Sequence, residues 1–135
     1  MLVLSNSVEQ TLAPGQAMTF DTVVMHTGCA EGYRPNSGSV VLRARKAIYD
    51  CSVGANIGST TAASEAQLAI CLNSSPLLET TMISTTATVG DIENVARNTA
   101  VRTDCNGGEY ITVVNTGETT ITIGAHPELF IKRAA

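Results

Sequence analysis

A chain of 135 residues has room for one domain, and its 44% hydrophobic and 15% charged content excludes a disordered polyelectrolyte. Eight Lys and Arg against twelve Asp and Glu leave a net charge of −4, which speaks against a nucleic-acid partner, because a phosphate backbone needs a basic face. No run reaches the ~18 uninterrupted apolar residues of a membrane span, so no membrane partner is expected.

The opening Met1-Leu-Val-Leu carries no basic residue and turns polar at Ser5. It reads as an arm or first strand within residues 1–14 rather than as a secretory signal, which leaves a cytoplasm as the expected site of synthesis. Turn signals then recur at short intervals: Pro14-Gly15, Gly28, Pro35-Asn36-Ser37-Gly38, Gly54 to Gly58, Asn73-Ser74-Ser75-Pro76, Gly90-Asp91, Asn106-Gly107-Gly108, Asn115-Thr116-Gly117 and Gly124. Runs rich in β-branched residues lie between them, the pattern of an all-β sandwich or barrel.

Alternation picks out individual strands. Over Ile48 to Ile57 the apolar set is Tyr49, Cys51, Val53, Ala55 and Ile57, a period of two with one face toward a core. In Glu65 to Asn73, Ala66, Leu68, Ile70 and Leu72 share a face. Residues 91–98 fit a helix opened by Asp91 and also alternate as a strand; the surrounding pattern favours strand. Tyr110 to Ile123 reads as a hairpin with Asn115-Thr116-Gly117 as its loop.

Tyr110, Thr112 and Val114 face one way, and Ile111 and Val113 the other. The closing Leu129-Phe130-Ile131 is also apolar on both faces. A sandwich sheet normally buries one face only, so a second cover is required. A loop of the same chain would serve, and so would another copy; with few residues to spare, the subunit interface is preferred, through Tyr110, Thr112, Val114 and Phe130.

In order and spacing the segments Gly15-Gln-Ala-Met-Thr-Phe20, Asn36-Ser-Gly-Ser-Val-Val-Leu42, Ala47-Ile-Tyr-Asp-Cys-Ser-Val53, Leu68-Ala-Ile-Cys-Leu-Asn73, Pro76-Leu-Leu-Glu-Thr-Thr-Met82, Gly107-Gly-Glu-Tyr-Ile-Thr-Val-Val-Asn115 and Leu129-Phe-Ile-Lys-Arg133 resemble the C1q/TNF-like jelly roll, particularly its short bacterial and phage versions. Ala47 stands where that family usually has glycine, Asn73-Ser74 replaces an Asn-Gly turn, and Gly108-Glu109 replaces Gly-Asp. The resemblance implies an all-β, two-sheet antiparallel sandwich of about ten strands over residues 15–135. It also implies assembly as a homotrimer around an inner sheet that holds both Tyr110–Val114 and Leu129–Ile131.

Chemistry is scarce. His26 and His126 have no recognisable nucleophile motif near them, so no catalytic residue is expected. No cofactor is expected either: Gly54-Ala-Asn-Ile-Gly58 lacks the lysine of a phosphate loop. Asp104, Asn106 and Glu109 are the one metal candidate, set against the plainer reading of a hairpin turn. The four cysteines, Cys29, Cys51, Cys71 and Cys105, lack zinc spacing and read as free thiols, with Cys29–Cys105 as the pairing to expect if one forms. Arg43, Arg45 and Lys46 are a solvated edge or a contact for an acidic partner.

The resulting expectation is a non-catalytic trimeric structural or adhesive module on a phage virion surface, as head decoration or head fibre, in contact with a capsid protein. The alternative is a bacterial surface or spore-associated module that binds a receptor or glycan through its loops.

Overall fold

The computed structural model describes residues 1–61 and 64–135. Thirteen strands are described: β1 (Leu2–Ser5), β2 (Gln10–Leu12), β3 (Thr22–His26), β4 (Glu31–Tyr33), β5 (Val40–Leu42), β6 (Ile48–Ser59), β7 (Glu65–Leu72), β8 (Ser75–Pro76), β9 (Met82–Thr85), β10 (Glu93–Arg102), β11 (Glu109–Val114), β12 (Ile121–Ile123) and β13 (Glu128–Arg133). A single 3₁₀ turn, Leu78–Thr80, precedes β9. The excess over the expected ten comes from short pieces such as β2, β4 and β8.

The strands form two antiparallel sheets. Sheet A has the order β2-β12-β6-β13-β1-β3, with β10 on the free side of β6. Sheet B has the order β4-β5-β11-β7-β8, with β9 also paired to β7. The long strand β6 organises sheet A: β10 pairs with it from Ile48 to Ile57, while β12 and β13 share its other side.

Every residue of the β6 apolar set, Tyr49, Cys51, Val53, Ala55 and Ile57, is buried. They meet Leu42, Leu68, Ile70, Ile111 and Val113 of sheet B in one core. Tyr49 ties the layers together where its ring has no room to leave: its hydroxyl donates to Ala30 O at 2.7 Å and accepts from Ala44 N at 3.1 Å. A buried phenol hydroxyl must find such partners, since an unmade bond there costs about 1–3 kcal/mol.

Of the two readings of the opening segment, strand is what forms. Leu2 and Leu4 are buried on β1 between β13 and β3, and Leu12 is buried on β2. Residues 93–102 are strand rather than helix.

The expected hairpin over Tyr110–Ile123 does not form. Strand β11 lies in sheet B between β5 and β7, whereas β12 lies in sheet A between β6 and β2. Asn115 makes the crossing. It is fully buried, its side-chain amide donates to Leu12 O at 3.0 Å and Thr119 O at 2.8 Å, and its Oδ1 accepts from Gly117 N at 3.0 Å. Its backbone carbonyl also accepts from Gly15 N at 2.8 Å. One residue thus pins three segments, and the chain steps between layers instead of folding back.

Candidate association surfaces

The two sheets differ most on the faces turned away from the core. On sheet A the registers align Met25, Val3, Phe130, Ser52 and Asn98 in a row across β3, β1, β13, β6 and β10. This row is uncharged. The adjoining rows carry the charges: Ser5, Glu128, Gly54 and Ala96 on one side, and Lys132, Asp50 and Ala100 on the other. Nothing stands over Gly54, where a β-carbon would meet open space. Beyond β1 the edge strand β3 is exposed along its whole length, with Val23 46%, Val24 60% and Met25 46% accessible. An uncharged centre with a charged rim and an apolar exposed edge is the composition of a protein–protein contact.

Sheet B turns Val41, Tyr110, Thr112, Cys71, Val114 and Ala69 outward. Here the chain supplies much of its own cover. Asn73 Oδ1 accepts from Tyr110 N at 3.0 Å, and the Ser74 hydroxyl lies 2.7 Å from the Tyr110 hydroxyl. Ala17 bridges to Val114. Cys71 and Ala69 are 1% exposed and Thr112 8%. What remains is a shallow depression of about 440 Å³ bounded by Ala17, Cys71, Pro76, Thr112 and Val114, into which no charged side chain reaches.

The four residues expected to form one interface therefore part company. Tyr110, Thr112 and Val114 belong to sheet B and Phe130 to sheet A. The expectation that β11 and β13 share a sheet is corrected by the pairings. Strand β11 lies between β5 and β7, and β13 between β6 and β1. The β7–β8 turn and residues 15–17 pair along the edges of β11, while Tyr110 and Val114 stay half-buried and Val41 exposed on its outer face. Val3, Met25, Ser52, Gly54 and Ala96 share the outward face of sheet A with Phe130. The apolar run Val23-Val24-Met25 was the sequence signal for them, a strand with no alternation and no visible cover.

The metal candidate resolves into turn chemistry. Asp104 Oδ1 accepts from Asn106 N at 2.7 Å and Gly107 N at 3.0 Å, and these amides hold its carboxyl below the usual range. Glu109 Oε2 accepts from Asp104 N at 3.2 Å, and burial pushes its carboxyl up. Both carboxylates are engaged by backbone amides of the turn, and the described residues contain no group of three His, Cys, Asp or Glu placed to hold a metal ion. Gly107 and Gly108 both sit at positive φ, 72° and 85°, the turn requirement that selects glycine.

All four cysteines are free, Cys29 and Cys105 exposed and Cys51 and Cys71 buried. His26 Nε2 lies 3.1 Å from Glu31 O. Among the described residues neither histidine is hydrogen-bonded to a hydroxyl, thiol or carboxylate side chain.

This architecture, two stacked antiparallel sheets with a long central strand bordered by the last strand of the chain, is the C1q/TNF-like jelly roll. No family model and no curated protein matches the sequence. Solved structures match over nearly the full length of both chains. Murine APRIL at pH 8.0 aligns with a TM-score of 0.64 and 12% identity, covering 97% of this chain and 96% of that one. Eiger TNF from S. frugiperda gives 0.70 and 10%, covering 99% and 91%. The globular domain of zebrafish complement 1qA gives 0.58 and 8%, covering 98% of both.

Proposed function

We propose that this chain is a non-catalytic homotrimeric surface module, and that its copies associate through the outward face of sheet A around Phe130. The observation that carries the reading is the uncharged row Met25–Val3–Phe130–Ser52 between charged rows. Small residues beside it, Gly54 and Ala96, keep that face flat enough for another sheet to approach. Members of the C1q/TNF-like family assemble as trimers around one sheet, and the resemblance in sequence order supports the same arrangement here.

The setting proposed is a phage virion, where a trimer suits a three-fold position on a capsid, with a capsid protein as partner. The support is the likeness of the segment order to the short phage and bacterial versions of the fold. The module would act by binding and by shape, as head decoration or head fibre.

Two measurements separate the parts. Light scattering should return three times the 14.1 kDa chain mass, and a single-chain mass at high dilution overturns the trimer. Mass spectrometry of purified virions should find the chain in stoichiometric amounts. Its absence removes the virion setting and leaves the assembly standing.

A further inference from the structure

The charged side chains are sorted by end. Both termini lie at one end of the sandwich, with the connections that join β3 to β4, β5 to β6 and β10 to β11. There Arg43 N donates to Ala30 O at 2.9 Å, Lys46 N to Asp104 O at 2.8 Å, and Ala134 N to Ile48 O at 2.7 Å. Arg43, Arg45, Lys46, Arg102, Lys132 and Arg133 are exposed at this end, six of the eight Lys and Arg in the chain. Arg43 and Arg133 line one shallow recess, and Lys46 and Arg102 line the next.

The carboxylates of this end answer them at one place only. Glu31 and Glu109 are buried, Asp104 is held by turn amides, and Asp50 faces Lys132 across the β6–β13 pairing. Among the described residues no Lys or Arg makes an ion pair with a carboxylate; the single salt bridge joins the Met1 amine to Glu31. The opposite end has the complementary sign. Glu9, Asp21, Glu65, Asp91, Glu93, Glu118 and Glu128 are exposed there against one exposed cation, Arg34 of the β4–β5 loop; the loops 6–9, 86–92, 115–120 and 124–127 contain no Lys or Arg.

The ends are far enough apart to act separately. The twelve residues of β6 span roughly 40 Å at ~3.3 Å per residue, several times the ~8 Å screening length at physiological salt. The overall charge of −4 therefore does not cancel the basic end locally.

We propose that the basic end is a docking face for the acidic end of another copy, so that units stack head to tail. This contact is heterologous, joining two different surfaces, and it is independent of the sheet A association. The choice of a second copy rests on charge complementarity, with cations left unpaired at one end and carboxylates at the other. No exposed aromatic ring lies at the basic end, which removes the stacking platform a single-stranded nucleic acid uses.

The test is sedimentation velocity on the full chain, with two charge-reversed variants. One carries Arg43→Glu, Arg45→Glu, Lys46→Glu and Arg102→Glu, and the other Glu9→Lys, Glu65→Lys, Asp91→Lys, Glu93→Lys and Glu118→Lys. The wild type should grow beyond its high-salt mass at low salt and lose that association by about tenfold or more as salt is raised to ~300 mM. Each variant alone should stop at the high-salt mass. An equimolar mixture, which pairs two acidic ends with two basic ends, should associate again. Circular dichroism confirms that the variants are folded. Absence of salt-dependent growth in the wild type, or a folded mixture that stays apart, overturns the proposal. So does retention of the wild type on phosphocellulose without self-association, which assigns the basic end to a phosphate polymer.

Discussion

The outward faces of the two sheets face the same problem and meet it differently. Both carry strands that are apolar on two sides. On sheet B the chain borders the apolar face with its own residues: the β7–β8 turn places Ser74 against Tyr110, and residues 15–17 pair beside Val114. On sheet A no loop lies over Phe130, and β3 extends its exposed Val23, Val24 and Met25 beside it. A two-sided apolar strand therefore demands a cover without saying whose. The cover is identified by what crosses the strand in space, which a local pattern does not contain.

The largest expected effect breaks the comparison directly. Phe130→Glu places a charge at the centre of the uncharged row and should reduce the assembly to single chains, seen as a threefold fall in mass by light scattering. Tyr110→Glu, on a face the chain already covers, should keep the assembled mass. It should lower stability by about 1–2 kcal/mol through lost packing and the lost Ser74 contact. If Tyr110→Glu dissociates the protein and Phe130→Glu does not, the roles of the two faces are reversed.

The cysteines sharpen the same contrast, because one lies under each kind of cover. Cys51 faces the core from β6, and burial, with the charge of Asp50 adding, pushes its thiol up to about 12 from 9.0. Cys71 lies on the outer side of β7 beside Pro76, and burial also pushes its thiol up. Near neutral pH an alkylating reagent should modify Cys29 and Cys105 at once, Cys71 when the β7–β8 turn opens, and Cys51 only with global unfolding. Cys71 and Cys51 reacting at one rate would mean that the cover on sheet B opens no sooner than the core. The pH dependence has a definite sign. The folded chain keeps a Cys51 proton that the unfolded chain releases, so this contribution is full below pH 9.0 and drains as pH rises toward about 12.

Much of the fold is legible in the sequence, for a physical reason. The alternation of Tyr49 to Ile57 and of Ala66 to Ile70 follows from one buried face, which is a property of each strand alone. The class of fold and the burial of those residues can be read from it. The partner of β11 cannot. Its neighbours β5 and β7 are about 70 and 40 residues away in the chain, and Asn115-Thr116-Gly117 has the composition of a hairpin loop. Only the destinations of the Asn115 amide, Leu12 O and Thr119 O, reveal a crossing between layers. The proposed association surface is half legible: the two-sided strand marks Phe130, while Val3 and Met25 stay hidden because their row is assembled from five separate strands.

The smallest effect concerns the cover of sheet B itself. Leu72 pairs with Ser75, so Asn73 and Ser74 form a two-residue turn, and both sit at positive φ, 50° and 68°. Asparagine tolerates that region, but serine is held there at a cost of about 1 kcal/mol. Ser74→Gly relieves the backbone and loses the hydroxyl contact with Tyr110, and a freer unfolded chain takes back part of the gain. The net expectation is a rise in Tm of about 1–3 °C. Ser74→Ala loses the contact and keeps the strain, so it should lower Tm. Equal falls in the two variants would mean that the hydroxyl, rather than the backbone, decides how firmly this turn closes over Tyr110.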